Sequence, residues 1–184
     1  ADLDLAWLTG ARHLHATGVF AAVSADTDAA VAHAMQAMRA AGRTVSFDTN
    51  LRPSLWPSHE RMVERVNALA ALADWVLPGV DEGRVLCGSA DARTIAAFYL
   101  QRGARIVVVK LGAEGAWWQG ADGTSGNVAA HPAERVVDTV GAGDAFAAGF
   151  VSAMLAGLPV PDAVRRAAWM GARAVQVRGD TEGL

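Results

Sequence analysis

The segment VVDTVGAGDAFAAGF, residues 136–150, places a glycine-rich turn before an apolar helix pattern, and Asp144 stands where that helix begins. Glycines at positions 141 and 143 permit positive φ angles, so successive backbone N–H groups can point at one spot. The helix N-terminus adds partial positive charge, and such a site suits a phosphoryl group. A carboxylate would repel a resting phosphate, which suggests that Asp144 accepts a proton from a hydroxyl nucleophile.

A simpler interpretation is that Asp144 only caps the helix behind a glycine turn, because Asp is a preferred N-cap residue. Two other phosphate-binding motifs are excluded. Lys110 is the single lysine and does not lie in a Gly-Lys-Thr sequence, so there is no Walker-type loop. Phe146 stands where the dinucleotide fingerprint requires its third glycine. The residues alone therefore leave both interpretations of Asp144 open.

Composition indicates one globular domain, with 184 residues, 52% hydrophobic content and a net charge of -3. The slightly acidic balance predicts neither a nucleic-acid partner nor a membrane partner. Cys87 is the only cysteine, which excludes a disulfide framework and favours a cytoplasmic protein, and the first ten residues do not resemble a secretory signal. His13 and His15 alternate along a strand pattern without a third metal ligand at suitable spacing, so we expect them to pack.

Strand and helix patterns alternate along the chain. Strands are predicted at 13–19, 43–48, 74–78 and 105–110, and helices at 26–41, 58–73, 81–87 and 91–102, the first capped by Asp26. Glycine-rich turns in residues 115–132 predict a hairpin, and two helices follow at 144–157 and 161–177. This order indicates an α/β fold whose mostly parallel sheet has helices on both faces, with ligands bound at the carboxyl ends of the strands.

Four segments carry a family resemblance. DTVGAGDAF resembles the C-terminal signature of the ribokinase-like (PfkB) carbohydrate kinases. VVVKLGAEGAWW, residues 107–118, resembles the strand and glycine turn along the nucleotide phosphates, and LPGVDEGRVLCG, residues 77–88, resembles a segment with an Asn-x-x-Glu element near the metal. SFDTNLRPSLWPS, residues 46–58, is similar to the Asp-x-Asn-x-Arg segment of the 2-keto-3-deoxygluconate kinases in this family.

The resemblance implies a ribokinase-like fold and a set of catalytic groups. Asp144 would be the base that takes the proton from the substrate hydroxyl. The amides of Gly141, Ala142 and Gly143 would form the anion hole for the transferring phosphoryl group, an electrostatic role of large effect.

The resemblance also implies the nucleotide and metal contacts. Gly112 and Gly115 would let the backbone approach the nucleotide. Lys110 would add positive charge there, or else be the solvated end of a strand. Glu82 matches the metal-associated glutamate, acting through water because Mg²⁺ keeps part of its hydration shell. Gly79 departs from the pattern, since many members have Asn at this position.

Substrate contacts are implied for Arg52, Asp48 and Asn50, together with Asp144. A guanidinium holds a carboxylate through two parallel hydrogen bonds, which a neutral sugar cannot match. Without the family argument, Arg52 would be a surface ion-pair or phosphate residue, and Asp48 and Asn50 would be turn residues at a strand end.

The expected activity is ATP- and Mg²⁺-dependent phosphorylation of a sugar acid, namely 2-keto-3-deoxygluconate to its 6-phosphate. The alternatives are a kinase for a neutral sugar or a nucleoside, and a catalytically silent nucleotide-binding module. Family members begin with further strands and a lid, so residues 1–184 are expected to be the C-terminal, nucleotide-binding part of one kinase domain and to be inactive alone. A homo-oligomer is compatible with the sequence.

Overall fold

The structure is a computed structural model that describes residues 3–179. Six strands form one sheet in the order β1 to β6: β1 (His13–Thr17), β2 (Thr44–Asp48), β3 (Trp75–Val76), β4 (Ile106–Lys110), β5 (Ala116–Gly120) and β6 (Ser125–Val128). The first four strands are parallel to one another, and β4, β5 and β6 are antiparallel neighbours. The predicted α/β fold with a mostly parallel sheet and a hairpin is confirmed.

Eight α-helices connect and flank these strands within the described residues. They are α1 (Leu5–Thr9), α2 (Gly18–Ala21), α3 (Ala25–Ala40), α4 (His59–Ala70), α5 (Val80–Leu86), α6 (Ala92–Leu100), α7 (Ala142–Leu155) and α8 (Val160–Ala174). In this described part, no helix is long and apolar enough to cross a membrane.

Helices cover both faces of the sheet because β-strand side chains alternate between the faces. On one face, α3, α4 and α6 pack against Phe47, Val107 and Val109. On the other face, α7 and α8 pack against Leu77 and Val108. The central part of β4 is fully buried, as expected for an uninterrupted β-branched run in a parallel sheet.

Two helix starts differ from the prediction. The N-cap of α3 is Ser24 and not Asp26, because the Ser24 hydroxyl accepts the Thr27 N–H while the Thr27 side chain accepts the Ser24 N–H. The long helix after the glycine turn is capped by Gly141, which adopts φ 77°, and Asp144 lies in its first turn. The interpretation of Asp144 as an N-cap is therefore wrong.

Three chain segments converge at one edge of the sheet. Asp48 ends β2, Lys110 ends β4, and α7 begins close to both of them. The carboxyl ends of parallel strands are the usual ligand position in an open α/β sheet. The fold thus brings residues from three separated motifs to one place.

Candidate active site

A cleft of about 680 Å³ lies at the carboxyl ends of β2, β3 and β4, against the N-terminus of α7. Ten of the residues predicted for the site line this cleft: Asp48, Asn50, Arg52, Gly79, Glu82, Lys110, Gly112, Gly141, Gly143 and Asp144. The four motifs of the sequence therefore form a single concave site.

The glycine turn before α7 has the geometry of an anion site. Gly141 adopts a left-handed conformation, which a residue with a side chain rarely adopts. Within residues 3–179, the N–H groups of Gly141 and Gly143 have no hydrogen-bond partner, whereas Ala142 N donates a long bond of 3.4 Å to Thr139 O. Open amides at a helix N-terminus attract an anion through their partial positive charge.

Asp144 is exposed and lines the cleft, in the first turn of α7. Asn50 Nδ2 lies 3.4 Å from Asp144 Oδ1 and donates to it. Asn50 is the one non-glycine residue with positive φ in the described part of the chain, at 31°, and Asn tolerates such a backbone better than most residues. This turn aims the Asn50 amide at the carboxylate.

Asp48 and Lys110 form an ion pair between the ends of β2 and β4. Lys110 Nζ lies 2.6 Å from Asp48 Oδ2 and 2.8 Å from Oδ1, and the Asp48 side chain is only 1% exposed. Burial raises the pKa of Asp48, and the Lys110 ammonium opposes that rise. The alternative that Lys110 is a solvated strand end is wrong, since its ammonium is held by a buried carboxylate.

Glu82 connects the start of α5 to the loop after β2 at the side of the cleft. Its Oε2 accepts the Thr49 hydroxyl and the Gly79 N–H, both at 2.6 Å, and its Oε1 accepts the Leu51 N–H at 2.7 Å. The side chain thereby satisfies the Gly79 N–H at the start of α5 and fixes the loop after β2. A carboxylate accepts about four hydrogen bonds, so Oε1 keeps room for a water molecule.

The balance of charges in the cleft indicates whether the Mg²⁺ implied by the resemblance fits the site. Four carboxylates line it, from Asp48, Asp81, Glu82 and Asp144, against two cations, Arg52 and Lys110. A polyanionic ligand there requires additional positive charge, which a hydrated Mg²⁺ supplies. The free lone pair of Glu82 fits a role through water.

Gly79 contributes its backbone alone at the position where the family pattern has Asn. A Cβ at Gly79 would lie 3.2 Å from Glu82 Oε2, so a larger residue would press on the Glu82 carboxylate. The backbone angles, φ −84° and ψ 157°, are open to any residue. Neither the backbone nor this contact therefore requires glycine, since the family pattern has Asn before the same glutamate.

Arg52 lies at the exposed rim of the cleft, directly after the loop fixed by Glu82. Its Nη1 donates to Leu51 O at 2.8 Å. No salt bridge to Arg52 is found within residues 3–179, so most of its donors face the cleft or solvent. A free guanidinium at the rim can bind an anionic substituent of a ligand.

Two predicted residues stand outside the cleft lining. Gly115 is buried in the turn before β5, where an added Cβ would lie 2.0 Å from Val128 O. This close approach and the φ of 103° are sufficient reasons for a glycine in this turn, without any nucleotide contact. Ala142 contributes to the helix start, while Gly112 lies at the cleft with φ 59°.

Several residues in the cleft or directly behind it were not predicted from the sequence. Thr49 is fully buried and bonds Glu82, and Thr139 and Val140 line the cleft. Thr139 and Val140 stand inside the quoted motif, so the motif itself was the available signal. Thr49 could have been noticed as a polar residue between two others at the end of an apolar strand.

Comparisons with known proteins agree with this geometry. A crystal structure of a PfkB protein from Polaromonas sp. JS666 is 59% identical, with a TM-score of 0.88 over 95% of this chain and 56% of that protein. The crystal structure of a ribokinase II from E. coli in complex with ATP and Mg²⁺ is 28% identical, with a TM-score of 0.87 over 98% of this chain and 57% of that one.

Among curated proteins, the 2-dehydro-3-deoxygluconokinase of Bacillus subtilis (strain 168) is 50% identical over 175 residues, which is 95% of this chain and 53% of the relative. The chain thus spans about half the length of the curated relatives it matches. Residues 1–184 match the sequence profile of the pfkB family carbohydrate kinases. On the combined evidence of sequence, fold and site, the chain belongs to the pfkB family of carbohydrate kinases.

Proposed function

We propose that this chain is the C-terminal, nucleotide-binding part of a sugar-acid kinase. Its reaction would be transfer of the γ-phosphoryl group of Mg-ATP to the terminal hydroxyl of 2-keto-3-deoxygluconate, giving the 6-phosphate and ADP, with the hydroxyl proton taken by Asp144. The observation that carries the proposal is the position of Asp144 beside the open amides of Gly141 and Gly143. The likeness to 2-dehydro-3-deoxygluconokinases of two organisms supports the substrate.

Asp144 serves as the general base in this proposal. Its carboxylate is exposed to the cleft and accepts the Asn50 amide, which holds it in one orientation. A base must lie within hydrogen-bond reach of the hydroxyl that it deprotonates, and the cleft leaves room for such a hydroxyl next to Asp144. Proton removal makes the hydroxyl oxygen a better nucleophile.

The start of α7 stabilises the charge that develops on the transferring group. The N–H groups of Gly141 and Gly143 are already oriented, so they need no reorganisation during the reaction. The long bond from Ala142 N to Thr139 O can be exchanged for one to a phosphoryl oxygen. Bound Mg-ATP would supply neutralising charge and the phosphoryl group, and Lys110, together with Glu82 acting through water, would hold it in the cleft.

Arg52 provides the preference for an acid substrate. Its guanidinium is exposed at the rim of the cleft and can form two parallel bonds to a substrate carboxylate. Asp144, Asn50 and Arg52 line the same cleft, so one bound sugar acid could reach the base with its hydroxyl and Arg52 with its carboxylate.

A kinase assay on the full-length protein tests the proposal. We expect ATP-dependent phosphorylation of 2-keto-3-deoxygluconate with a kcat/KM well above the values for fructose, ribose and a nucleoside. A preference for a neutral substrate would replace the sugar acid by a neutral sugar or nucleoside. ATP binding in calorimetry without turnover of any substrate would instead favour a silent nucleotide-binding module.

A further inference from the structure

We infer that Asp48 is a positioning residue that holds the Lys110 ammonium beside the anion site, and that it does not bind the sugar. The inference rests on the proposed function and replaces the substrate contact that the family resemblance implies for Asp48. It follows from the hydrogen bonds, burial and location of the Asp48–Lys110 pair.

The oxygens of Asp48 are already occupied within the protein. Oδ1 accepts Lys110 Nζ at 2.8 Å and the Asn50 N–H at 3.1 Å, and Oδ2 accepts Lys110 Nζ at 2.6 Å. The side chain is 1% exposed, so a sugar hydroxyl has almost no access to it. A role in direct substrate contact is therefore incompatible with this arrangement.

Lys110 is more accessible than its partner, with 19% of its side chain exposed. An ammonium has three N–H donors, and the two oxygens of Asp48 occupy two of them. The third donor remains for a ligand in the cleft. A Cβ added at Gly143 would lie 3.8 Å from Lys110 Nζ, which places the ammonium next to the open amides of α7.

A lysine side chain is long and flexible, and fixing it costs conformational entropy. The buried carboxylate keeps Nζ in one place before a nucleotide binds, so less entropy is lost at binding. A buried ion pair gives little net stability, because the desolvation of both charges offsets their attraction. Its location at the cleft therefore agrees better with positioning a charge than with stabilising the fold.

Asp48 also supports the loop that carries Asn50. The Asn50 N–H bond to Oδ1 helps to hold the positive φ of Asn50, whose side chain reaches Asp144. Asp48→Asn keeps an oxygen for the Asn50 N–H but removes the charge that holds Lys110. This substitution thus separates the two contributions.

A double-mutant cycle in the full-length kinase tests the inference, using Asp48→Asn, Lys110→Met and the combined variant. We expect each single variant to lower kcat about ten- to hundred-fold, the range for a misplaced catalytic contact, and to raise KM for ATP. The KM for the sugar acid should change less than about threefold, and the combined variant should be no worse than Lys110→Met.

If Asp48→Asn raises the KM for the sugar acid and leaves kcat unchanged, the inference is overturned. A further tenfold loss when Asp48→Asn is added to Lys110→Met also overturns it. Asp48→Asn alone leaves the Lys110 ammonium unpaired, and this variant could fail to fold. In that case the kinetic constants of the combined variant are compared with those of Lys110→Met, because both proteins lack the ammonium. Equal constants support the inference, and a further tenfold loss in the combined variant overturns it.

The pair of Asp28 and Arg65 provides the control. Two bonds of 2.8 Å join these side chains away from the cleft, and they are 15% and 23% exposed. Asp28→Asn should lower Tm and leave the kinetic constants unchanged, whereas an equal kinetic loss there would overturn the assignment.

If the wild-type protein has no kinase activity, the proposed function alone fails, and the same cycle is then measured on the Kd of ATP. Asp48→Asn should weaken ATP binding only when Lys110 is present.

Discussion

At the scale of single residues, Asp144 is the group on which the proposed chemistry depends. Asp144→Asn in the full-length kinase keeps the size of the side chain and its contact with Asn50 but removes the proton acceptor. We expect kcat to fall by about 10²-fold or more, the range of general-base catalysis, while the Kd of ATP stays nearly unchanged. Steady-state kinetics and calorimetry measure the two quantities.

Asp162 offers a matched control, because it is likewise a carboxylate in the first turn of a helix, α8, but pairs with Arg165 on the surface. Asp162→Asn should leave kcat unchanged. Near-normal turnover in Asp144→Asn would remove this residue from the mechanism.

Arg52 determines the preference for an acid substrate in the proposal. Arg52→Ala removes a charge-assisted contact, and such contacts contribute about 1.5 to 3 kcal/mol. We therefore expect kcat/KM for 2-keto-3-deoxygluconate to fall roughly ten- to hundred-fold. The lower kcat/KM for a neutral sugar should change much less, so the preference for the acid shrinks.

Both substrates must be measured with both proteins to make this comparison. Arg61→Ala is the control, since Arg61 is an exposed arginine on α4 that pairs with Glu64. An equal fall for acid and neutral sugar in Arg52→Ala would assign Arg52 to ATP or to the transferred phosphoryl group.

The family resemblance of four local motifs implied most of the cleft residues, whereas the residues alone indicated only the glycine turn and Asp144 as an anion site. Neither predicted the bonds between motifs. Asp48 and Lys110 are 62 positions apart, and their contact depends on the order of β2, β3 and β4 in the sheet. The bonds of Glu82 to Thr49 and Leu51 were not predicted for the same reason, since they cross from α5 to the loop after β2.

At the scale of elements, the start of α3 shows how two capping candidates compete. Ser24 and Asp26 both precede an apolar pattern, and the structure assigns the cap to Ser24. Ser24→Ala should therefore lower the free energy of unfolding by about 1 kcal/mol. Asp26→Asn is the matched comparison and should cost less, because it only weakens a favourable charge in the first turn. Denaturant melts of both variants measure this difference, and a larger cost for Asp26→Asn would contradict the assignment.

Strands and long helices followed from the periodicity of apolar residues, but the short helices α1 and α2 did not. They contain five and four residues, too few for a 3.6-residue period to appear. The first residue of α2, Gly18, must be a glycine, because an added Cβ would lie 2.1 Å from Thr49 O in a distant segment. Such a constraint depends on tertiary structure.

The pairing of β1 with β2 predicts a pH effect. His13 bonds Thr44 Oγ1 and Ser46 Oγ, both at 2.8 Å, and stacks on Trp75. Burial lowers the pKa of His13 from 6.5 to about 4, with the neighbouring His15 adding to the effect. Between these values the unfolded chain binds more protons than the folded protein, so the stabilisation by neutral His13 is lost as the pH falls.

His13→Gln should therefore lower Tm most at pH values above the usual histidine pKa, where the wild-type ring is neutral in both states. The Tm difference between wild type and variant should narrow as the pH is lowered toward 5. His33→Gln, at an exposed position on α3, serves as the control. A difference that stays constant with pH would show that His13 does not titrate on unfolding.

At the scale of the whole molecule, the described sheet ends at β1, which pairs with β2 alone. Next to it lies an apolar cleft of about 600 Å³ between α1, β1, α2 and α3. Trp7 is 79% exposed there, Phe20 is 53% exposed, and Val23 nearby is 63% exposed. An unpaired strand edge beside exposed apolar side chains favours self-association.

Residues 1–184 expressed alone are therefore expected to associate or aggregate and to lack kinase activity. The curated relatives are about twice as long, and in our proposal their N-terminal part covers β1 and completes the sugar pocket. Sedimentation at several concentrations, a dye that binds exposed apolar surface, and the kinase assay measure these properties, with the full-length protein at equal concentration as the control. Since β1 and its apolar neighbours account for the association, Trp7→Ser and Phe20→Ser should reduce it without restoring activity. A monomeric and active preparation of residues 1–184 would show that the catalytic unit needs no further strands.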